Sequence, residues 1–303
     1  MAILKKRFFI LIGIFVFLTI SILFTSIYQT QSSSNVVVIG SKNCTENQIV
    51  AEIIATLIEK NTDIKVKRKF NLEGTLICFE ALRSKDIDMY PEYTGTAMYA
   101  ILKDQRKLDN QKMHCYLKNV FDKRFEIQWL EPFGFENAYV LLMDRKKTKE
   151  LKIFSISDLS NHIKKNKMQI AFDPEFSVRE EVASINKNYD LDVNYKLMDQ
   201  SLMYFSLAHG VIDLANGFAT DSRIKKYDLT ILKDDKKAMP SYIAAPIVRK
   251  EVLQKYPNLA SELKKLEGII TDEKIKKLNY LADEKKQKVY DIAYRFLKSE
   301  KLI

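Results

Sequence analysis

The strongest constraint on the fold is the run Val36-Val37-Val38-Ile39, four consecutive apolar residues closed by Gly40. So continuous a stretch suits a strand buried on both faces of a parallel sheet. A helix should follow: Thr45 with Gln48 three residues on fits a capping box, and Val50, Ile53, Ile54, Leu57 and Ile58 then repeat at helical spacing. Ile64 and Val66 alternate with charged residues over 63–70, Gly74 marks a turn, 76–82 reads as helix and 87–90 as a strand. The order βαβαβ implies a parallel sheet, and ligands of such sheets sit outside the carboxyl ends of the strands. Both Gly40-Ser41-Lys42 and Tyr90-Pro91-Glu92-Tyr93-Thr94-Gly95-Thr96 fall there, the second as a proline-punctuated loop in which the strand stops.

The same cadence returns as a helix over 202–208, Gly210, a strand over 211–214 and Gly217-Phe218-Ala219-Thr220, as expected of two α/β lobes built alike. The chain has only 8 glycines in 303 residues, where about 7% is usual. Gly40, Gly95, Gly134, Gly210 and Gly217 lie near strand ends or aromatic loops, where positive φ or close backbone approach calls for them. Pro91, Pro132, Pro174 and Pro240 punctuate the same neighbourhoods. From Leu259 onward, Leu263, Leu266, Ile269, Ile270, Ile275, Leu278 and Leu281 predict a charged helical cap.

Lys5, Lys6 and Arg7 precede an almost unbroken apolar run over 8–28. About 20 apolar residues suffice to cross a bilayer, so this run is expected to act as an uncleaved hydrophobic anchor helix or as an export signal. Either way, the remainder is expected outside the cytoplasm. Setting those three cations aside lowers the net charge from +10 to +7. Acids interleave with the lysines, which argues for a solvated surface and against a nucleic-acid partner.

No phosphate loop, Gly-x-Ser-x-Gly elbow, His-Glu-x-x-His or Cys-x-x-Cys is present, so an enzyme is not expected. His114, His162 and His209 are far apart with no second ligand at metal spacing, so neither a metal nor a cofactor is expected. The three cysteines, Cys44, Cys78 and Cys115, lie on unrelated segments, and Cys78 in Leu76-Ile77-Cys78-Phe79 reads as core. Tyr93, Tyr139, Phe218 and Tyr242 stand apart from these, each beside glycine or proline at a loop or strand end. Ring faces in such places suit a cation that has no hydrogen to donate.

These residues carry a resemblance. Ile39-Gly40-Ser41-Lys42-Asn43-Cys44-Thr45-Glu46, Asp86-Ile87-Asp88-Met89 running into the Tyr90 to Thr96 stretch, Gly134-Phe135-Glu136-Asn137-Ala138-Tyr139, Met198-Asp199 with Leu202-Met203-Tyr204, Ala219-Thr220-Asp221-Ser222-Arg223-Ile224 and Pro240-Ser241-Tyr242-Ile243-Ala244-Ala245-Pro246 occur in this order. Together they resemble the glycine betaine/carnitine/choline-binding proteins of osmoprotectant ABC importers. The resemblance implies a two-lobed periplasmic-binding-protein (type II) fold, with 36–133 and 238–303 in lobe 1, 134–237 in lobe 2, and residues 1–35 as the signal or anchor.

It also implies a cleft where Tyr93, Tyr139, Phe218 and Tyr242 cage a quaternary ammonium group. Lys42, Thr96, Asn137 and Arg179 would meet the solute's polar end, and an ABC permease and its ATPase would be the partners. Phe218 stands where the family usually has tyrosine, Ser241 replaces a common proline, and the segment after Arg179 lacks the familiar glycine-rich continuation. Thr96, where choline-selective members tend to carry an acid, favours betaine-like solutes. The alternatives are another small solute such as an amino acid on the same scaffold, or a membrane-anchored enzyme.

Overall fold

The computed structural model describes residues 35–303 except Lys107 and Asp192. The hydrophobic helix expected at 8–28 lies outside the described residues, and among those described no helix is long and apolar enough to cross a membrane.

Two five-stranded sheets organise the chain. β1 (Val36–Lys42), β2 (Lys65–Leu72), β3 (Met89–Tyr93) and β4 (Ile127–Trp129) begin the first. β5 (Tyr139–Asp144), β6 (Ile170–Phe172), β7 (Lys196–Leu197), β8 (Leu214–Phe218) and β9 (Leu229–Ile231) form the second, and β10 (Ala244–Arg249) returns to the first. The strand orders are β2-β1-β3-β10-β4 and β7-β6-β8-β5-β9. In each, the first three strands run parallel and the last two pairings are antiparallel. The fold is therefore α/β with two sheets of one plan. β3 and β8 are central counterparts, which is the physical source of the echo between 202–220 and the β3 region.

Three local expectations are corrected, the first being the strand read over 211–214: Val211 is exposed and the strand, β8, begins only at Leu214 and runs through Gly217 to Phe218. Thr45 does not cap the first helix, α1 (Thr45–Asn61); it is the first helical residue, and Cys44 precedes it without a side-chain capping bond. The side chains that organise this end are Asn47, which accepts the Lys42 amide at 2.8 Å and donates to the Pro91 carbonyl at 2.8 Å, and Glu46. The third correction concerns Pro91, which does not stop the strand; β3 continues through it, wholly buried, to Tyr93. β1 pairs with β3 only at Met89, and on the other side Pro91 faces Pro246, so the missing N–H falls where no ladder bond is demanded.

α1 is buried along most of its length. Ile49, Ile53, Ile54 and Leu57 share one core with Leu259, Leu263, Ile275, Leu278, Phe296 and Leu297 of helices Pro257–Lys264, Asp272–Asp283 and Val289–Ser299. The C-terminal helices thus cap the first sheet, as their spacing predicts.

The chain passes between the sheets after Trp129 and again after Ile231, and the two crossovers are bonded to each other. Phe133 N–H donates to Ala244 O at 3.0 Å, Ala244 N–H to Phe135 O at 3.1 Å and Asn137 N–H to Tyr242 O at 3.0 Å. Ser241 adds a side-chain bond to Glu136. Gly134 sits in the first crossover at φ +113°, where a Cβ would lie 2.8 Å from the Gly268 backbone. Gly134→Ala should therefore cost about 1–3 kcal/mol, read as a lower urea midpoint at unchanged slope. Cys78 is fully buried, and burial pushes its thiol up to about 12. At pH 8, Ellman's reagent should label exposed Cys115 readily and Cys78 only after unfolding.

Candidate functional site

The strand plan brings four segments to one place: the ends of β3 and β8, the start of β5 and the loop leading into β10. Tyr139 and Phe218 are paired across β5 and β8, so their rings touch at 4.7 Å between centroids. Tyr139 also lies 5.1 Å from Phe176 and, edge-on at 79°, 6.3 Å from Tyr242. The Tyr242 ring rests on Gly95, where a Cβ would come within 2.7 Å of it. Glycine is required at position 95 for close approach, since it does not adopt positive φ.

Arg179 completes this cluster. Its guanidinium stands 4.8 Å from the centre of the Tyr139 ring and 5.9 Å from that of Tyr242. Nη2 donates to the Tyr242 hydroxyl at 2.7 Å, while Glu175 and Glu181 accept from Nη1 and Nε at 2.9 and 3.2 Å. The Tyr242 hydroxyl in turn donates to Glu181 at 2.6 Å. Burial pushes the phenols of Tyr139 and Tyr242 well above their ordinary value, so both present neutral rings with negative faces.

Tyr93, Lys42 and Asn137 form a second, adjoining group. The Tyr93 ring meets Phe135 edge-on at 6.5 Å and carries the Lys42 ammonium 5.0 Å from its centre. Its hydroxyl donates to Glu46 at 2.7 Å, and Asn137 Nδ2 donates to the same oxygen at 3.0 Å. Lys42 is buried and bonded to Glu92 at 2.5 Å. Glu92, itself fully buried, also accepts from the Tyr90 hydroxyl at 2.9 Å and the Tyr93 amide at 2.8 Å. Thr96 is half-buried on the helical turn Thr94–Thr96. The two groups meet where β3 pairs with β10, Tyr93 opposite Ala244.

Tyr139 stands in the wall of two cavities. The larger, about 1120 Å³, is bordered by Tyr99, Glu136, Arg179, Glu181 and Ser241; the smaller, about 390 Å³, by Phe218, Asp173, Glu175 and Asp199. Three carboxylates beside aromatic faces make the smaller cavity favourable to a cation. Among the described residues, no group of three or more His, Cys, Asp or Glu is arranged to hold a metal ion.

Sequence reasoning gave no role to Glu46, Glu175 or Glu181, and read Glu92 only as a structural residue of its loop. Glu46 and Glu92 lie inside quoted motifs beside Thr45 and Tyr93, and that adjacency was the available signal. Glu181 had none, because its place against Tyr242 depends on residues sixty-one apart.

With this geometry in view, the comparisons are consistent. The family model for the substrate-binding domain of ABC-type glycine betaine transport systems matches residues 35–299. The carnitine transport binding protein OpuCC of Listeria monocytogenes is 34% identical over 270 residues, covering 88% of this chain and 87% of that protein. The ergothioneine transport permease/ergothioneine binding protein EgtU of Helicobacter pylori is 33% identical over 298 residues, 97% of this chain and 53% of that protein. A crystal structure of a glycine betaine/carnitine/choline ABC transporter superposes with a TM-score of 0.82 at 30% identity, covering 88% of this chain and 99% of that one. The chain belongs to the family of substrate-binding domains of ABC-type glycine betaine transport systems.

Proposed function

We propose that the chain captures a small quaternary ammonium solute outside the cytoplasm and delivers it to an ABC permease and its ATPase, performing no chemistry itself. Glycine betaine, carnitine and choline are the candidate solutes. The observation that carries this reading is the Arg179 guanidinium resting over the rings of Tyr139 and Tyr242, which supports these faces as a place for a cation. A trimethylammonium group offers the same charge without N–H, so it exchanges with the guanidinium for the ring faces.

In this reading Tyr93, Tyr139, Phe218 and Tyr242 are the cage walls. Each ring contributes about 0.5–2 kcal/mol. Association itself costs roughly 4–15 kcal/mol, so methyl burial and bonds to a carboxylate must supply the rest. Displaced from the rings, Arg179 remains within reach to bind that carboxylate, with Asn137 and Thr96 beside the site. Lys42 has three N–H donors and, among the described residues, one hydrogen-bond partner, Glu92. Phe218 keeps the π face without a hydroxyl. Because Tyr139 and Phe218 are already in contact, entry requires the walls to part. We assign this motion to two lobes, 36–133 with 238–303 and 134–237, hinged at the bonded crossovers. Residues 8–28 anchor or export the chain.

The larger cavity favours a second reading. Its volume of about 1120 Å³ slightly exceeds that of typical small-molecule sites, ~300–1,000 Å³. A betaine with an added ring, such as the ergothioneine named for the Helicobacter pylori relative, would use it.

Calorimetric titration of residues 35–303 with glycine betaine, carnitine, choline and ergothioneine should give saturable binding to at least one; no binding to any would overturn the reading. Tyr139→Ala and Tyr242→Ala should each weaken that binding about tenfold or more, and unchanged affinity would remove the rings from the site. Arg179→Ala should weaken the carboxylate-bearing solutes and leave choline, which has no carboxylate, within about threefold.

A further inference from the structure

Glu46, in the first turn of α1, is 5% exposed and takes no part in any charged pair among the described residues. Its Oε1 accepts from the Tyr93 hydroxyl at 2.7 Å and from Asn137 Nδ2 at 3.0 Å; its Oε2 accepts from Asn279 Nδ2 at 2.9 Å. The Thr220 hydroxyl lies against the same carboxylate, and Asn279 Nδ2 also donates to the Thr220 carbonyl at 3.1 Å. These donors come from the end of β3, the first crossover, the segment after β8 and helix Asp272–Asp283. To reach Glu46, Asn137 and Asn279 leave their own Oδ1 atoms buried without a hydrogen-bond partner. An orphaned buried acceptor is costly. Both amides nonetheless turn their donors to one carboxylate, which identifies it as the centre of the arrangement.

We infer that Glu46 is the positioning residue for three of the four cage walls. It holds the Tyr93 ring directly through the hydroxyl. Asn137 is two residues before Tyr139 and Thr220 two residues after Phe218, so the same carboxylate fixes the backbone beside both of those rings. Glu46 need not touch the solute to act this way. The inference rests on the reading of the rings as a solute cage.

The test is a double-mutant cycle on the full chain with glycine betaine as the probe, using Tyr93→Phe, Glu46→Gln and the double variant. Each single change should weaken binding about tenfold, the scale of one lost hydrogen bond to a charged group. If Glu46 acts through Tyr93, the double variant should be little worse than the weaker-binding single. Glu52→Gln, on the same helix and paired with Arg68, should lower the melting temperature without changing affinity. Additive losses, or an unchanged affinity in Glu46→Gln, would overturn the inference.

A solute-free readout keeps it separate from the functional reading. In fluorotyrosine-labelled protein, Glu46→Gln should shift the 19F resonance that Tyr93→Phe removes. An unmoved resonance would refute the positioning role even where solute binds. A shifted resonance in a protein that binds none of the solutes would sink the functional reading alone. Should Glu46→Gln not fold, Asn279→Ala removes one donor from the same carboxylate and carries the same fluorine measurement.

Discussion

Antiparallel pairing of β10 with β3 is the contact on which the site depends. It places Ala244 opposite Tyr93 and so delivers Tyr242, two residues upstream, onto Gly95. The same pairing draws the last sixty residues back to the first sheet, where their helices cover α1. Without it, the ring cluster built on β5 and β8 would face no counterpart from the first sheet. Pro91 opposite Pro246 shows how tolerant this ladder is of lost donors, provided that they fall where no bond is required.

Around that pairing the chain buries charge, and it does so with partners. Lys42 with Glu92, Arg249 with Asp88 and Arg179 with Glu181 flank β3, β10 and Tyr242, and their carboxylates accept further hydrogen bonds. Buried pairs of this kind add little net stability, because desolvation offsets their attraction. Here they fix where β3 and Tyr242 lie, and through them the direction of the rings. The arrangement also explains why Arg179 rests over aromatic faces: two carboxylates and a phenol hold it there while the rings receive its charge.

Much of the fold was legible from periodicity. The apolar run at Val36, the helical repeat through Ile58 and the C-terminal leucine spacing each correspond to an observed element, because each depends on which side of a strand or helix is buried. Boundaries were less legible. Thr45 and Gln48 had the residue types of a capping box, yet β1 runs on to Lys42 and leaves Cys44 at the cap position. Pro91 looked like a strand terminus because a local rule cannot know that its partner across the sheet is also proline. Of the candidate site residues, Tyr139, Phe218, Tyr242 and Arg179 lie in one cluster and Tyr93, Lys42 and Asn137 in the neighbouring one. The carboxylates between them went unassigned because their partners lie tens to hundreds of residues away.

By itself, the sequence determined the alternation of strands and helices around β1 and α1 and the identities of the rings near strand ends. These are local properties, set by side-chain size, polarity and spacing. Only the tertiary structure decided that Tyr139 touches Phe218, that an arginine occupies the ring faces and that one buried carboxylate ties three site segments together. Such contacts arise from β10 returning across the chain and from burial, which makes every unsatisfied donor expensive enough to select its partner.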